Sequence, residues 1–163
     1  MSNKVLTKLL VQRLSPLLPR IISLTHSGFV SGRVIHDNVL LVQELVHDLN
    51  RHTRGNNVVL KLDMAKTYDR MSWPFILHML RCFEFSECWI SLIQQAVYSP
   101  WFLVIVNGVN HGYFQYQRGL RQGNPLSPCL FIIATEFLWR GLDHLYSQYP
   151  SVQYLSTTPT SIS

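Results

Sequence analysis

The stretch NVVLKLDMAKTYDRMSW, Asn57–Trp73, sets how the rest of the chain is read. Residues 58–62 are a short run of aliphatic and β-branched side chains around one lysine, the composition of a buried strand rather than of a helix. The run ends on Asp63, so a carboxylate is expected at the C-terminal end of a rigid element. That position suits a metal ligand, and it suits a helix N-cap equally well; the spacing by itself favours the cap. Beyond Asp63 the apolar period changes to that of helices, expected over 72–83 and 86–98.

Working outward, residues 101–106 and 109–116 are two β-rich runs either side of Asn107-Gly108, a pairing that predicts a hairpin. A glycine-bearing loop follows over 118–125, and Ser127 can begin a long apolar helix to about Leu145. Residues 152–155 read as one more strand. On the N-terminal side, Val5, Leu6, Leu9, Leu10 and Leu14 recur at helical spacing until Pro16 and Pro19 interrupt, which ends a helix near Ser15. Residues 23–35 read as loop or extended chain. Asp37 is placed to cap a second helix with the stripe Leu41, Leu45, Val46 and Leu49, stopping around Arg54-Gly55. The order predicts an α+β fold, with strands gathered into an antiparallel sheet and helices packed on one side.

The composition fits one domain: 163 residues, 47 % hydrophobic and 14 % charged, enough for a core and far from a disordered chain. So low a charge fraction leaves apolar surface for a partner or further chain. The net charge of +5 fits a polyanionic partner such as nucleic acid, with a solvated positive face as the alternative. Cys82, Cys88 and Cys129 are too few for a disulfide framework and lack zinc-ligand spacing; all three are expected to be buried thiols of a reducing compartment. No apolar run is long enough to span a bilayer and the N-terminus has no signal-cleavage pattern. The expected setting is intracellular, nuclear or cytoplasmic, without membrane.

A second segment, RGLRQGNPLSP from Arg118 to Pro128, combines arginines with forked phosphate-binding geometry and glycines that let backbone approach a ligand. Taken alone it also reads as an ordinary loop before a helix. Together the two segments resemble motifs A and B of reverse transcriptases. HSGFVSGRVIHDNVLLVQELVH, His26 to His47, is similar to the stretch preceding motif A in the LINE-type, non-LTR branch and in group II intron enzymes, and KVLTKLLVQRLSPLLPRIIS fits the helix upstream. The motifs stand in family order along nearly the whole chain. The resemblance implies an incomplete polymerase domain over 1–163, with a fingers-like segment at 1–56 and a palm segment at 57–163.

The resemblance also implies roles. Asp63 would be the catalytic aspartate that binds magnesium (Mg2+), and Met64 would lend its backbone carbonyl. Lys66 and Thr67 would lie near the triphosphate of a dNTP. Tyr68 would exclude the ribose 2′-hydroxyl by steric clash. Gln122 and Gly123 would touch nucleotide and template, while Arg33, Arg118 and Arg121 would contact template RNA; for Arg33, a surface pair with Asp37 is the alternative. The implied partners are an RNA template and a DNA primer, with the oligomeric state open. Two departures from the family pattern are Thr67, where alanine is usual, and Asn124, where the LINE branch has aspartate. The family's motif C, an adjacent pair of aspartates, has no counterpart here, because no Asp-Asp pair occurs in the sequence. The ending SVQYLSTTPTSIS resembles the approach to motif C, so the expectation is a fragment of an RNA-directed DNA polymerase that is inactive alone. A non-catalytic RNA-binding remnant and a group II intron maturase-like fragment are the alternatives.

Overall fold

The computed structural model describes residues 2–49 and 61–149. Apolar spacing becomes helix–helix packing. Helices α1 (Ser2–Leu14), α5 (Trp73–Cys82) and α6 (Glu87–Tyr98) gather around α7 (Leu126–Gln148), with α7 against α5 and α1, and α6 against the same two. The first half of α7 is apolar on most of its circumference. Leu126, Leu130 and Ile133 are sealed from solvent together with Leu14, Leu18, Leu80, Ile90 and Ile93. Each such side chain contributes about 1.5–3 kcal/mol relative to exposure.

Between these lie the short helices α2 (Leu18–Ile21) and α4 (Thr67–Arg70), the longer α3 (Ile35–Asp48), and strands β1 (Trp101–Val106) and β2 (Val109–Gln115). The α+β class is borne out. β1 and β2 form an antiparallel two-stranded sheet. Asn107 and Gly108 both take positive φ, 50° and 79°, the combination that lets a two-residue turn match the strands' twist. Phe102 pairs with Phe114 and Leu103 with Tyr113, but Val104 pairs with His111. Gly112, at φ 60°, is the extra residue of a bulge. Nearly every residue of the hairpin is exposed, Phe102 being half-buried, so the hairpin projects from the helical core.

Several local expectations change. The expected strand at 58–62 lies mostly outside the described residues, as does that at 152–155; residues 61–64 are described, and they are exposed chain outside any strand. Helix α3 starts at Ile35 with extended Val34 before it and no side-chain cap. Asp37 instead sits in the first turn, where its charge faces the positive end of the helix. Helix α7 starts at Leu126, so Ser127 lies inside the first turn. Its hydroxyl donates to the Arg121 carbonyl at 2.7 Å, and the Asn124 side-chain oxygen accepts the Leu126 N–H at 3.0 Å. At that place Asn keeps the acceptor an aspartate would offer. Ser86 does cap α6, accepting from the Trp89 N–H. The expectation of three buried thiols is corrected: Cys129 is buried on the α7 stripe, while Cys82 and Cys88 are exposed, because they sit at the adjoining ends of α5 and α6 rather than on the stripes facing the core.

Candidate functional site

The turn 65–70 and the loop 118–125 are joined backbone to backbone. The Gly119 N–H donates to the Met71 carbonyl at 2.8 Å and the Leu120 N–H to the Tyr68 carbonyl at 2.7 Å. The Trp73 indole N–H closes the third side on the Gly119 carbonyl at 2.6 Å. Gly119 makes this approach possible. Its φ is +91°, and a Cβ there would lie 2.8 Å from the Asp69 carbonyl oxygen and 3.1 Å from both the Asp69 Cα and the Tyr68 oxygen. Only a residue without a side chain lets the two segments lie this close.

Tyr68 is fixed from both ends. Its carbonyl is held by Leu120, and its ring stacks on Phe131 of α7 at 5.0 Å between centroids and 18° between planes. Burial, with a smaller contribution from the Cys129 thiol, pushes its hydroxyl pKa up, so the ring stays a neutral phenol. Lys66, at φ 51°, is the left-handed residue that starts α4, and its carbonyl accepts from Asp69 and Arg70. The Thr67 hydroxyl donates to the Met64 carbonyl at 2.5 Å. That bond engages the carbonyl that the resemblance would turn toward a metal. Asp63, Met64, Lys66, Arg118, Arg121, Gln122 and Gly123 are all exposed, and Thr67 and Tyr68 half-buried. Asp63 stands on exposed chain leading into the turn, and Gln122 and Gly123 follow the segment docked on that turn.

The described residues do not by themselves make a complete magnesium site. Among the described residues no group of three or more His, Cys, Asp and Glu side chains could share an ion, whereas a hard cation needs several oxygen ligands held in place. Asp63 by itself would supply one ligand. Among the described residues no helix is long and apolar enough to cross a membrane.

Arg33 has other work in the fold. Its guanidinium donates to the carbonyls of Ser23 at 2.5 Å, His26 at 2.6 Å, Ile22 at 3.0 Å and Pro19 at 3.2 Å. A forked donor set is suited to gathering several carbonyls, and here it ties the segment after α2 into a compact loop. The same loop is fastened to α7 by Glu136, a fully buried carboxylate. Glu136 accepts from the Ser23 backbone N–H at 3.2 Å and from the Ser23 hydroxyl. His26 Nδ1 lies 3.1 Å from its other oxygen, and Arg140 Nε donates at 3.2 Å. Burial alone would raise the Glu136 pKa. The hydrogen bonds from His26, Ser23 and Arg140 outweigh it and hold the group below the usual carboxylate range. Sequence reasoning missed both Gly119 and Glu136. The available signal for Glu136 was an acidic residue inside the apolar run FIIATEFLW; for Gly119 there was none, since a loop glycine does not name the chain it will approach.

Residues 1–155 match the family described as reverse transcriptase (RNA-dependent DNA polymerase). The chain belongs to the reverse transcriptase family. Among curated proteins it is 32 % identical over 133 residues to the Transposon TX1 uncharacterized 149 kDa protein of Xenopus laevis, covering 82 % of this chain and 10 % of that protein. It is 28 % identical over 101 residues to the Retrovirus-related Pol polyprotein from type-1 retrotransposable element R2 of Popillia japonica, covering 62 % of this chain and 16 % of that one. A third relative, the Retrovirus-related Pol polyprotein from type-2 retrotransposable element R2DM of Drosophila melanogaster, is 27 % identical over 115 residues, with 71 % and 11 % covered. These relatives agree with the non-LTR retrotransposon resemblance carried by the motifs. The reverse transcriptase chain spans between about a tenth and a sixth of their length.

Proposed function

We propose that this chain is the part of a non-LTR-type RNA-directed DNA polymerase that brings the motif A aspartate and the motif B loop together, and that on its own it does not polymerise. The observation that carries the reading is the Gly119 junction, which fuses the two motif segments through backbone bonds at 2.8 and 2.7 Å. In this reading Tyr68, held by Phe131, is the wall against a ribose 2′-hydroxyl. Lys66 and Thr67 border the triphosphate, and Gln122 and Gly123 meet the nucleotide. Arg118 and Arg121 contact the template backbone. Arg33 contributes by shaping the loop between α2 and α3, since its donors are held by carbonyls. Asp63 is the magnesium ligand of an assembly that needs further carboxylates. The sequence supplies no Asp-Asp pair, and Glu136 is engaged in the fold.

Primer extension tests this directly. A primed RNA template, dNTPs and magnesium should give no incorporation above that of an Asp63→Asn chain, while the same chain retains a labelled RNA template in a salt-dependent way. Incorporation that depends on Asp63 would overturn the inactivity. Absence of RNA binding at low salt would overturn the template role.

A further inference from the structure

Helix α5 turns two metal-binding donors outward that no motif segment uses. His78 and Cys82 stand at i and i+4 and both are exposed, so they are neighbours on the solvent side of the helix. The other side is anchored: Ile76, Leu77, Met79 and Leu80 are buried in the core. His78 Nε2 lies 3.5 Å from Cys82 Sγ. Without an ion, that is the span of a weak sulfur hydrogen bond. It is also the edge of a metal tetrahedron. With metal–sulfur about 2.3 Å and metal–nitrogen about 2.0–2.1 Å, a tetrahedral angle sets the two donor atoms about 3.5–3.6 Å apart. The pair thus already stands at the spacing that a zinc-class ion requires.

We propose that His78 and Cys82 chelate a divalent cation of the zinc class on the outer face of α5, with water in the remaining positions. Donor chemistry picks the ion: thiolate and imidazole select zinc-like metals, whereas magnesium takes oxygen ligands. On binding, the Cys82 thiol gives its proton to solvent and the sulfur bonds the ion, while His78 binds as neutral imidazole through Nε2. Local electrostatics favour a cation. Cys82 is the last residue of α5, so the ion meets the negative end of the helix. The neighbouring Arg81 is already paired with Glu87, at 2.7 and 3.1 Å. That fork also ties the end of α5 to the start of α6, which steadies the turn carrying Cys82. Among the described residues no third His, Cys, Asp or Glu joins the pair, so the ion is exchangeable rather than sealed in. Cys82 and Cys88 are not a zinc pair; the partner of Cys82 is the histidine one turn before it. None of these residues belongs to the motif A or motif B segments, so the site stands or falls apart from the polymerase reading.

Cobalt(II) titration of the full chain, kept reduced by a phosphine, tests this through the thiolate-to-cobalt charge-transfer absorbance. The parent should show the band and saturate at an equimolar ratio. Zinc should displace the cobalt, and a large excess of magnesium should not. His78→Ala and Cys82→Ser should each weaken binding about tenfold or more, at least what losing a supporting residue around a metal costs. Cys88→Ser, which removes the other exposed thiol, should bind as the parent does. All three substituted side chains are exposed, and circular dichroism checks that each variant keeps the fold. A parent without the thiolate band overturns the inference. So does His78→Ala binding as tightly as the parent, which leaves a bare thiol and no chelate. An equal loss in Cys88→Ser moves the ion elsewhere, and saturation at half the equimolar ratio makes it shared between copies; either result also overturns the two-donor site on α5.

Discussion

Replacing Gly119 by alanine tests whether the junction between the two motif segments depends on a missing side chain. Two costs can be separated. At φ +91° any L-residue pays backbone strain of about 1–2 kcal/mol. The added Cβ would also sit 2.8 Å from a backbone oxygen of Asp69, which cannot rotate away as a flexible side chain could. Relief requires the loop to lift, stretching the bonds to Met71 and Tyr68, each with a net contribution of about 0.5–1.5 kcal/mol. The expected destabilisation is about 2–4 kcal/mol. Gly123→Ala is the internal control. It lies in the same loop at φ +80° with nothing within 4 Å of the added Cβ, so it should show the strain alone. Urea unfolding followed by far-UV circular dichroism reads both as shifts of the midpoint at constant slope. Tryptophan fluorescence adds a local reading, because the Trp73 indole is bonded to the Gly119 carbonyl. Gly119→Ala should lose at least about 1 kcal/mol more than Gly123→Ala on this reasoning. Equal losses would refute the close-approach argument, and an effect within about 0.5 kcal/mol of the parent would refute the geometry itself.

Two further outcomes follow from burial. Glu136 has a depressed folded pKa, so its stabilisation is present above the unfolded carboxylate value and is lost as pH falls through the lower folded value; Glu136→Gln should be less stable at neutral pH by about 1–3 kcal/mol and should flatten the acid limb of a stability–pH profile, and an unchanged limb would contradict the assignment. With a thiol reagent under native conditions Cys82 and Cys88 should react fast and Cys129 only on unfolding, so three equally fast thiols would contradict the packing of α7.

What the sequence determined by itself is local. Apolar spacing placed α1, α5, α6 and α7 to within a few residues, and Asn107-Gly108 marked the hairpin, because helix period and turn dihedrals are properties of neighbouring residues. The family also was legible, because motif wording is a property of short segments: Asp63, Tyr68 and Gln122 could be named before any coordinates. The tertiary structure decided what those segments touch. The contact of Gly119 with Asp69 spans chain that no periodicity connects. Arg33, read as a template contact, collects four carbonyls because the loop folds back around it. Glu136, one acidic residue inside an apolar run, proves to be the buried anchor of that loop. A buried charge is tolerated only where donors from distant positions converge on it, and convergence of that kind exists only once the chain has folded.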